Sequence, residues 1–365
     1  MLVAPHPDDE SLACGVILQR ALRAHAAVRV IYATDGENNP WPQRLQQRKW
    51  RLNRRDRARW GRVRRKEALD ALSVLGMRRS ETRFLGLPDQ GLTDLLVRDC
   101  QSTVALFAKL ITDYAPTHLI FPGLNDTHPD HNALAVLIRL VMKHFVPSSR
   151  QIAMWNFVVH GSAAGFSDEA VQLQPSPRET TIKIAAISSH ITQLRLSQRR
   201  FLGYGFRPER FFPFRLEEKP PMAESPIRLL RRQPKSLELQ LAPSRALFSR
   251  RRPRLLLLGH RFRDEVTCAM LPLPFRSAAA EMFDYTTGRC LRVTQIRGTR
   301  MTRMSITIPT DFFSPNHALF LKLDRPAVFF GEAGWFEMPP LTSAPSILSR
   351  IESEQIGLDS LQNVA

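Results

Sequence analysis

Two short segments of this chain concentrate residue types that can hold a cation and move protons. They are His6-Pro7-Asp8-Asp9-Glu10 near the start and His128-Pro129-Asp130-His131 far downstream. A catalytic zinc takes about three protein ligands from His, Asp, Glu or Cys and leaves one position open. His6 and Asp9 stand three residues apart across a proline-containing turn, a spacing that lets both side chains point at one ion, and His131 can supply the third ligand. Such a His, Asp, His set suits a hydrolytic centre rather than a closed structural one. Asp8, between the first two ligands, cannot easily share their direction and is the candidate general base for the attacking water. His128 is the candidate for stabilising a tetrahedral oxyanion and protonating a departing amine. Asp130 is then the carboxylate expected to orient that imidazole. One His-Pro-Asp tripeptide is a weak signal, because Pro and Asp both favour turns. Two of them, each with a further ligand-type residue at hand, are hard to produce as turns alone.

Segments so far apart meet only if the fold brings them together, and the flanking patterns predict how. Met1 to Ala4 is a short apolar run ending at Pro5, and Glu10 to His25 carries apolar residues at helical spacing. Val28 to Thr34 is a β-branched strand ending in Asp35-Gly36. A polar insertion is expected over Glu37 to Arg62, then a helix over Arg64 to Leu75 closed by Gly76. A strand at Thr82 to Leu85, a helix over Leu95 to Tyr114, a strand at His118 to Phe121 and a helix from His131 to Phe145 complete the series. This alternation predicts an α/β fold with a doubly wound, mostly parallel sheet, whose ligands bind at the carboxyl ends of the strands. Both histidine segments lie at such ends.

Beyond Leu216 the character changes. Prolines and arginines over 216–240 suggest a linker. Short apolar runs follow at Leu255–Leu258, Cys290–Ile296, Met304–Ile308, Leu319–Leu323 and Ala327–Phe330, with turn signals at Thr287-Gly288 and Ser314-Pro315-Asn316. They predict a smaller, mostly β domain over 241–342, a sandwich in the simplest case, before a tail over 343–365.

A 43% hydrophobic content over 365 residues excludes a disordered chain and allows two domains. Cys14, Cys100, Cys268 and Cys290 form no C-x-x-C pair, which fits a reducing cytoplasm. No signal-peptide pattern opens the sequence, and its apolar runs are too short to span a bilayer. The net charge of +18 favours an anionic partner such as an acidic glycan, a membrane surface or a phosphorylated substrate. Twelve Arg or Lys residues against one acid, Asp56, lie between Arg44 and Lys66, and a second basic stretch runs from Arg228 to Arg254. Neither is arranged as a nucleic-acid module, so nucleic acid is not the expected partner; the bland alternative is a solvated arginine-rich loop.

The segments Pro5 to Glu10, Thr34-Asp35-Gly36-Glu37, Arg64 to Ala68, Phe84-Leu85-Gly86-Leu87-Pro88-Asp89 and His128 to His131 together resemble the LmbE-like (PIG-L) family of zinc N-deacetylases. That family includes N-acetylglucosaminyl-phosphatidylinositol deacetylases and mycothiol-pathway deacetylases. Lys183 to Gln193, with Ser189-His190, resembles the family's closing helix, so the likeness covers residues 1–215 and leaves the C-terminal part unaccounted for. The resemblance implies a Rossmann-like LmbE fold, one Zn2+ or comparable divalent ion held by His6, Asp9 and His131, Asp8 as base, and His128 with Asp130 as the electrophilic partner. It further implies Arg64 and Asp89 as holders of substrate hydroxyls; Glu10, by its place in the first turn, is expected to cap the first helix through the helix dipole. The expected reaction is hydrolysis of the N-acetyl group of an amino sugar or its conjugate, releasing acetate and a free amine. The alternatives are an amidase acting on another N-acyl conjugate, or a protein binding an anionic glycan through a vestigial site.

Overall fold

The computed structural model describes residues 1–144, 152–161, 170–214, 225–261, 265–325 and 334–341. Seven strands make the first sheet: β1 Leu2–Ala4, β2 Val30–Thr34, β3 Thr82–Leu87, β4 His118–Pro122, β5 Ala153–Phe157, β6 Val171–Leu173 and β7 Glu209–Pro213. Their order is β3-β2-β1-β4-β5-β7-β6. The first five are parallel, and β7 and β6 add an antiparallel edge. β1 is only three residues long, but it lies centrally: Leu2 pairs with Val30 on one side and Ile120 on the other. The chain order reverses between β1 and β4, which opens a crevice at their carboxyl ends where ligands bind in such sheets.

The helices are α1 Asp9–Ala13, α2 Gly15–Arg23, α3 Pro40–Gln47, α4 Arg54–Val74, α5 Leu92–Arg98, α6 Cys100–Tyr114, α7 Pro129–His144, α8 Pro177–Ser188 and α9 Ile191–Gly203. Two segments expected as single helices break in two, at Cys14 and at Asp99, where the backbone leaves helical geometry. A larger correction concerns 37–62, expected as a polar loop and found mostly helical. Asn53 starts α4 with a capping box: its side chain accepts from the Asp56 N–H at 2.9 Å, and Asp56 accepts from the Asn53 N–H at 3.2 Å. Behind it Trp60, Arg64, Ala68, Ala71 and Leu72 are buried at helical spacing. The arginines hide this stripe by filling the outer face.

The C-terminal part is one antiparallel sheet of nine strands: β8 Ile227–Arg232, β9 Ser236–Leu241, β10 Arg254–His260, β11 Val266–Pro272, β12 Ala278–Asp284, β13 Cys290–Arg297, β14 Met304–Pro309, β15 Leu319–Asp324 and β16 Phe336–Met338. A short helix, α10 Arg245–Phe248, joins β9 to β10. Its order is β16-β15-β10-β11-β12-β13-β14-β9-β8. It is not two facing sheets: Arg232, on one edge strand, donates to the carbonyls of Ser314 and Pro339 beside the other edge, so the sheet curls round one apolar interior. The expected linker 216–240 is also corrected in part, since β8 and much of β9 lie within it; Leu237, Leu239 and Leu241 alternate inward, a period-two pattern that the arginines and prolines obscured. The run expected at Ala327–Phe330 and the tail 343–365 lie outside the described residues.

β10 reads as an unbroken apolar run because both of its faces are covered. Leu255 and Leu257 enter the curled sheet's interior, whereas Leu256 and Leu258 join a core shared with α5, α6 and α7. On β15 the same alternation sends Leu319 and Leu321 inward and Phe320 toward the helices. Among the described residues no helix is long and apolar enough to cross a membrane.

Candidate active site

The two histidine segments meet at the crevice between β1 and β4. His6 Nδ1, Asp9 Oδ2 and His131 Nε2 form a triangle with sides of 3.4, 3.3 and 3.3 Å. Donor atoms about 2.0 to 2.1 Å from a tetrahedral ion stand about 3.3 to 3.4 Å apart, so these three residues could hold a metal ion. Each member is tied to a neighbouring group. Asp9 Oδ2 accepts the backbone N–H of His6 at 2.9 Å. His131 turns Nδ1 to Asp126 Oδ2 at 3.0 Å, and His6 turns Nε2 to Asp89 Oδ1 and Asp130 Oδ2, both at 3.2 Å. A carboxylate behind each imidazole leaves the facing nitrogen as a lone-pair donor, the usual support of a metal-binding histidine. His128 also stands within reach of His6 and His131, as does His160 of Asp9 and His131.

The electrostatics show a place that attracts positive charge. Burial opposes protonation of His6, but Asp130, Asp89 and Asp9 outweigh it and hold His6 well above the usual imidazole range. Burial is likewise overcome at His131, which Asp126 and Asp9 raise to about 10. Burial would raise Asp9, yet His131 and His6 hold it well below the usual carboxylate range. The carboxylates around the two imidazoles thus favour positive charge at this point.

Asp8 sits beside this triangle with φ 136°, a strained conformation for a residue with a Cβ. Two contacts hold it there. Its N–H donates to Glu10 Oε2 at 2.9 Å, and its Oδ2 accepts from Arg64 Nη2 at 2.9 Å. Glu10 in turn accepts from the His190 imidazole at 2.8 Å, so the His190 segment reaches the site through Glu10. Burial pushes the Asp8 carboxyl up to about 6 against the pull of Arg64. Arg64 also donates to the carbonyls of Pro7 and Gly36. Gly36 has φ 63°, and a Cβ there would stand 1.8 Å from Arg64 Nη1, so this position requires glycine.

His128 packs edge-on to His6 with ring centroids 4.6 Å apart. Its Nδ1 accepts the Asp130 N–H at 3.2 Å, which leaves Nε2 to carry the ring proton. Burial and the neighbouring imidazoles of His6, His131 and His160 push it well below the usual range, so it is neutral. Here the expected role of Asp130 needs correction. Its carboxylate faces His6 and accepts from the N–H groups of Gln90 at 2.6 Å and Leu92 at 3.1 Å; what it offers His128 is its backbone N–H. The short turn between the two residues brings that N–H to the ring while the side chain continues toward β1.

A cleft of about 460 Å³ opens over these groups, lined by His6, Asp8, Asp9 and His128, with Arg64 and Asp89 also on its wall. Arg64 and Asp89, expected to hold substrate, are both committed to the scaffold: Asp89 accepts the Asn38 N–H at 2.7 Å besides facing His6.

Three contributors escaped the sequence analysis. Asp126 is buried and accepts from the N–H groups of His128, Val159 and His160 at 2.9, 2.9 and 3.1 Å while orienting His131. His160 follows β5, and the strand-end rule that located the other histidines would have found it had that strand been recognised. Lys322 comes from β15: its Nζ donates to Asn132 Oδ1 at 2.8 Å, and Asn132 Nδ2 donates to the carbonyls of Asp126 and His128. Beside it the backbone N–H of Trp335 donates to Leu124 O at 3.1 Å. The C-terminal sheet therefore touches the loop that carries the second histidine segment.

Residues 1–142 match the family described as PIG-L: GlcNAc-PI de-N-acetylase, a family of N-deacetylase hydrolases, and this region of the chain is a domain of that family. Among solved structures, the chain is similar to an N,N'-diacetylchitobiose deacetylase from Pyrococcus horikoshii, at 17% identity and a TM-score of 0.45, over 58% of this chain and 82% of the other. It is similar to teicoplanin deacetylase in a zinc-inhibited form, at 19% identity and a TM-score of 0.44, over 58% and 97%. It is also similar to a 4-carboxy-2-hydroxymuconate hydratase from Pseudomonas putida, at 18% identity and a TM-score of 0.43, over 56% and 81%. No curated protein matches the chain.

Proposed function

We propose that this protein is a zinc-dependent deacetylase that hydrolyses the N-acetyl amide of an amino sugar or sugar conjugate. The observation that carries the proposal is the triangle of His6 Nδ1, Asp9 Oδ2 and His131 Nε2, with a carboxylate behind each imidazole. A divalent ion held by His6, Asp9 and His131 would supply Lewis acidity to the amide carbonyl and make the attacking water more acidic.

The chain's own residues then divide the work. Asp8, with its pKa raised to about 6 by burial, accepts the proton of the attacking water at its carboxylate as the carbon–oxygen bond forms. Its strained backbone and the Arg64 contact fix that carboxylate before substrate arrives. His128, neutral and protonated on Nε2, donates a hydrogen bond to the developing oxyanion. Because His128 is held neutral, the proton needed by the departing amine returns from Asp8 as the C–N bond breaks, giving acetate and a free amine. This refines the role expected for His128, which becomes an electrophile more than an acid. Glu10 and His190 hold the Asp8 backbone, and Asp126 orients His131.

The test is acetate release from a panel of N-acetylated sugars with added zinc, with and without a chelator. Zinc-dependent release that the chelator abolishes is expected. Release indifferent to the chelator, or hydrolysis of esters but of no N-acetyl amide, would overturn the proposal.

A further inference from the structure

The segment from Trp41, which lines the cleft, to Arg62 is both strongly basic and unusually apolar on its exposed side. Arg48, Arg51, Arg54, Arg55, Arg57 and Arg62, at the end of α3 and along the first turns of α4, are exposed, and none of them is ion-paired among the described residues. The one acid in this run, Asp56, is buried and already shared between Lys49 and Arg59. Large apolar side chains stand between these cations. Trp41 is 63% exposed, Leu45 65% and Trp50 81%. Trp41 and Leu45 are four residues apart on α3 and share its outer face, while Pro42 and Gln43 are buried on the inner one. α9 lies against α3, with the Gln46 side chain donating to Thr192 O at 3.3 Å, and it adds the exposed Ile191 together with Arg195 and Arg199. Trp41 from α3 and Arg200 from α9 both line the cleft.

Scattered exposed apolar residues are ordinary on a protein surface. Tryptophan and leucine on the outer face of a short helix, set among unpaired arginines, are the composition of a helix that lies in a membrane interface. An acidic polysaccharide would use the cations and stack on the indoles, but it gains nothing from Leu45 or Ile191. A bilayer uses all of them: acyl chains take the apolar side chains, and anionic headgroups take the arginines.

We infer that α3 and the first turns of α4, with the exposed edge of α9, form an interfacial face by which this chain docks on an anionic lipid bilayer, with the mouth of the cleft beside the membrane. That the cleft is the active site is the reading given above; the docking itself does not depend on the reaction.

The experiment is co-sedimentation of the full chain with vesicles of phosphatidylcholine alone and of phosphatidylcholine mixed with phosphatidylglycerol, at low and physiological salt. The unmodified protein should bind the anionic vesicles and not the neutral ones. The triple variant Arg54→Gln, Arg55→Gln, Arg57→Gln should bind about a hundredfold more weakly. The double variant Leu45→Ser, Trp50→Ser should also lose vesicle binding, while both variants keep unchanged melting temperatures and unchanged turnover of a soluble N-acetyl sugar. Equal binding to both vesicle types, or undiminished binding by the variants, overturns the inference. So does loss of binding in the arginine variant alone together with equal affinity for soluble dextran sulfate, which would assign the face to a polyanion. Vesicle binding by a protein that hydrolyses no N-acetyl amide would sink the proposed reaction and leave the docking intact.

Discussion

The parallel sheet and the curled C-terminal sheet place their buried polar groups differently. In the parallel sheet the histidines and carboxylates of the candidate site sit past the strand ends, where β1, β2, β4 and β5 release their loops, and they converge on one crevice. In the C-terminal sheet the interior is apolar, from Ile227 through Leu257 to Met338. Its outward face carries Lys322 and Glu337, which meet Asn132 and Arg139 of α7. One sheet supplies chemistry at its edge. The other supplies a wall, with one ammonium that steadies the loop of the second histidine segment.

If that division holds, perturbing the first region should remove reactivity and leave the fold, and the largest effect should come from Asp8. Asp8→Asn keeps the shape but cannot take a proton, so turnover should fall roughly 100- to 10,000-fold, about 3 to 5 kcal/mol of barrier, with an unchanged melting temperature. Full activity in this variant would remove Asp8 from the mechanism. The same residue sets the pH dependence. Burial raises its pKa to about 6, and the base must be ionised, so activity should be flat above that value and decline about tenfold per unit below it. A decline centred near 4 would mean that the carboxylate is not buried during catalysis.

A smaller effect should follow from the point where the two regions touch. Lys322→Met removes the donor to Asn132, and supporting contacts of this kind are worth about 10- to 100-fold in metal affinity or activity. Phe320→Ala, on the same face of the same strand, deletes core packing and should cost about 3 to 5 kcal/mol of stability while folded molecules turn over normally. Equal behaviour of the two variants in stability and turnover would erase the distinction between wall and loop support. The smallest effect belongs to Asn53→Ala, which removes the α4 cap and should lower stability by about 1 kcal/mol without touching turnover. Thermal unfolding beside a turnover assay decides both.

The two regions also differ in how far their sequences could be read. The histidine segments were legible because ligand-type residues at short spacing followed apolar strands, and the parallel sheet followed from alternating periods. Asp126 was not, because it acts through contacts made only in three dimensions, with His131 and with the turn after β5, and His160 was not, because the strand before it, β5, went unrecognised. Arg64 was marked out only by the family likeness, as a holder of substrate hydroxyls; nothing in the run of arginines around it showed that it turns inward to Asp8 and Gly36. In the C-terminal part the strands at 255–258 and 319–323 were plain, yet their arrangement was not. A strand buried on both faces carries no alternation to say which partner lies on which side.

The central claim is that His6, Asp9 and His131 together hold one metal ion and Asp8 does not. Metal content, measured after zinc loading and removal of excess metal, tests it in the unmodified chain and in the Asp8→Asn, Asp9→Ala and His131→Ala variants. About one ion per chain is expected in the unmodified protein and in Asp8→Asn, with far less in the other two. Loss of the ion from Asp8→Asn, with its retention in Asp9→Ala, would contradict the account.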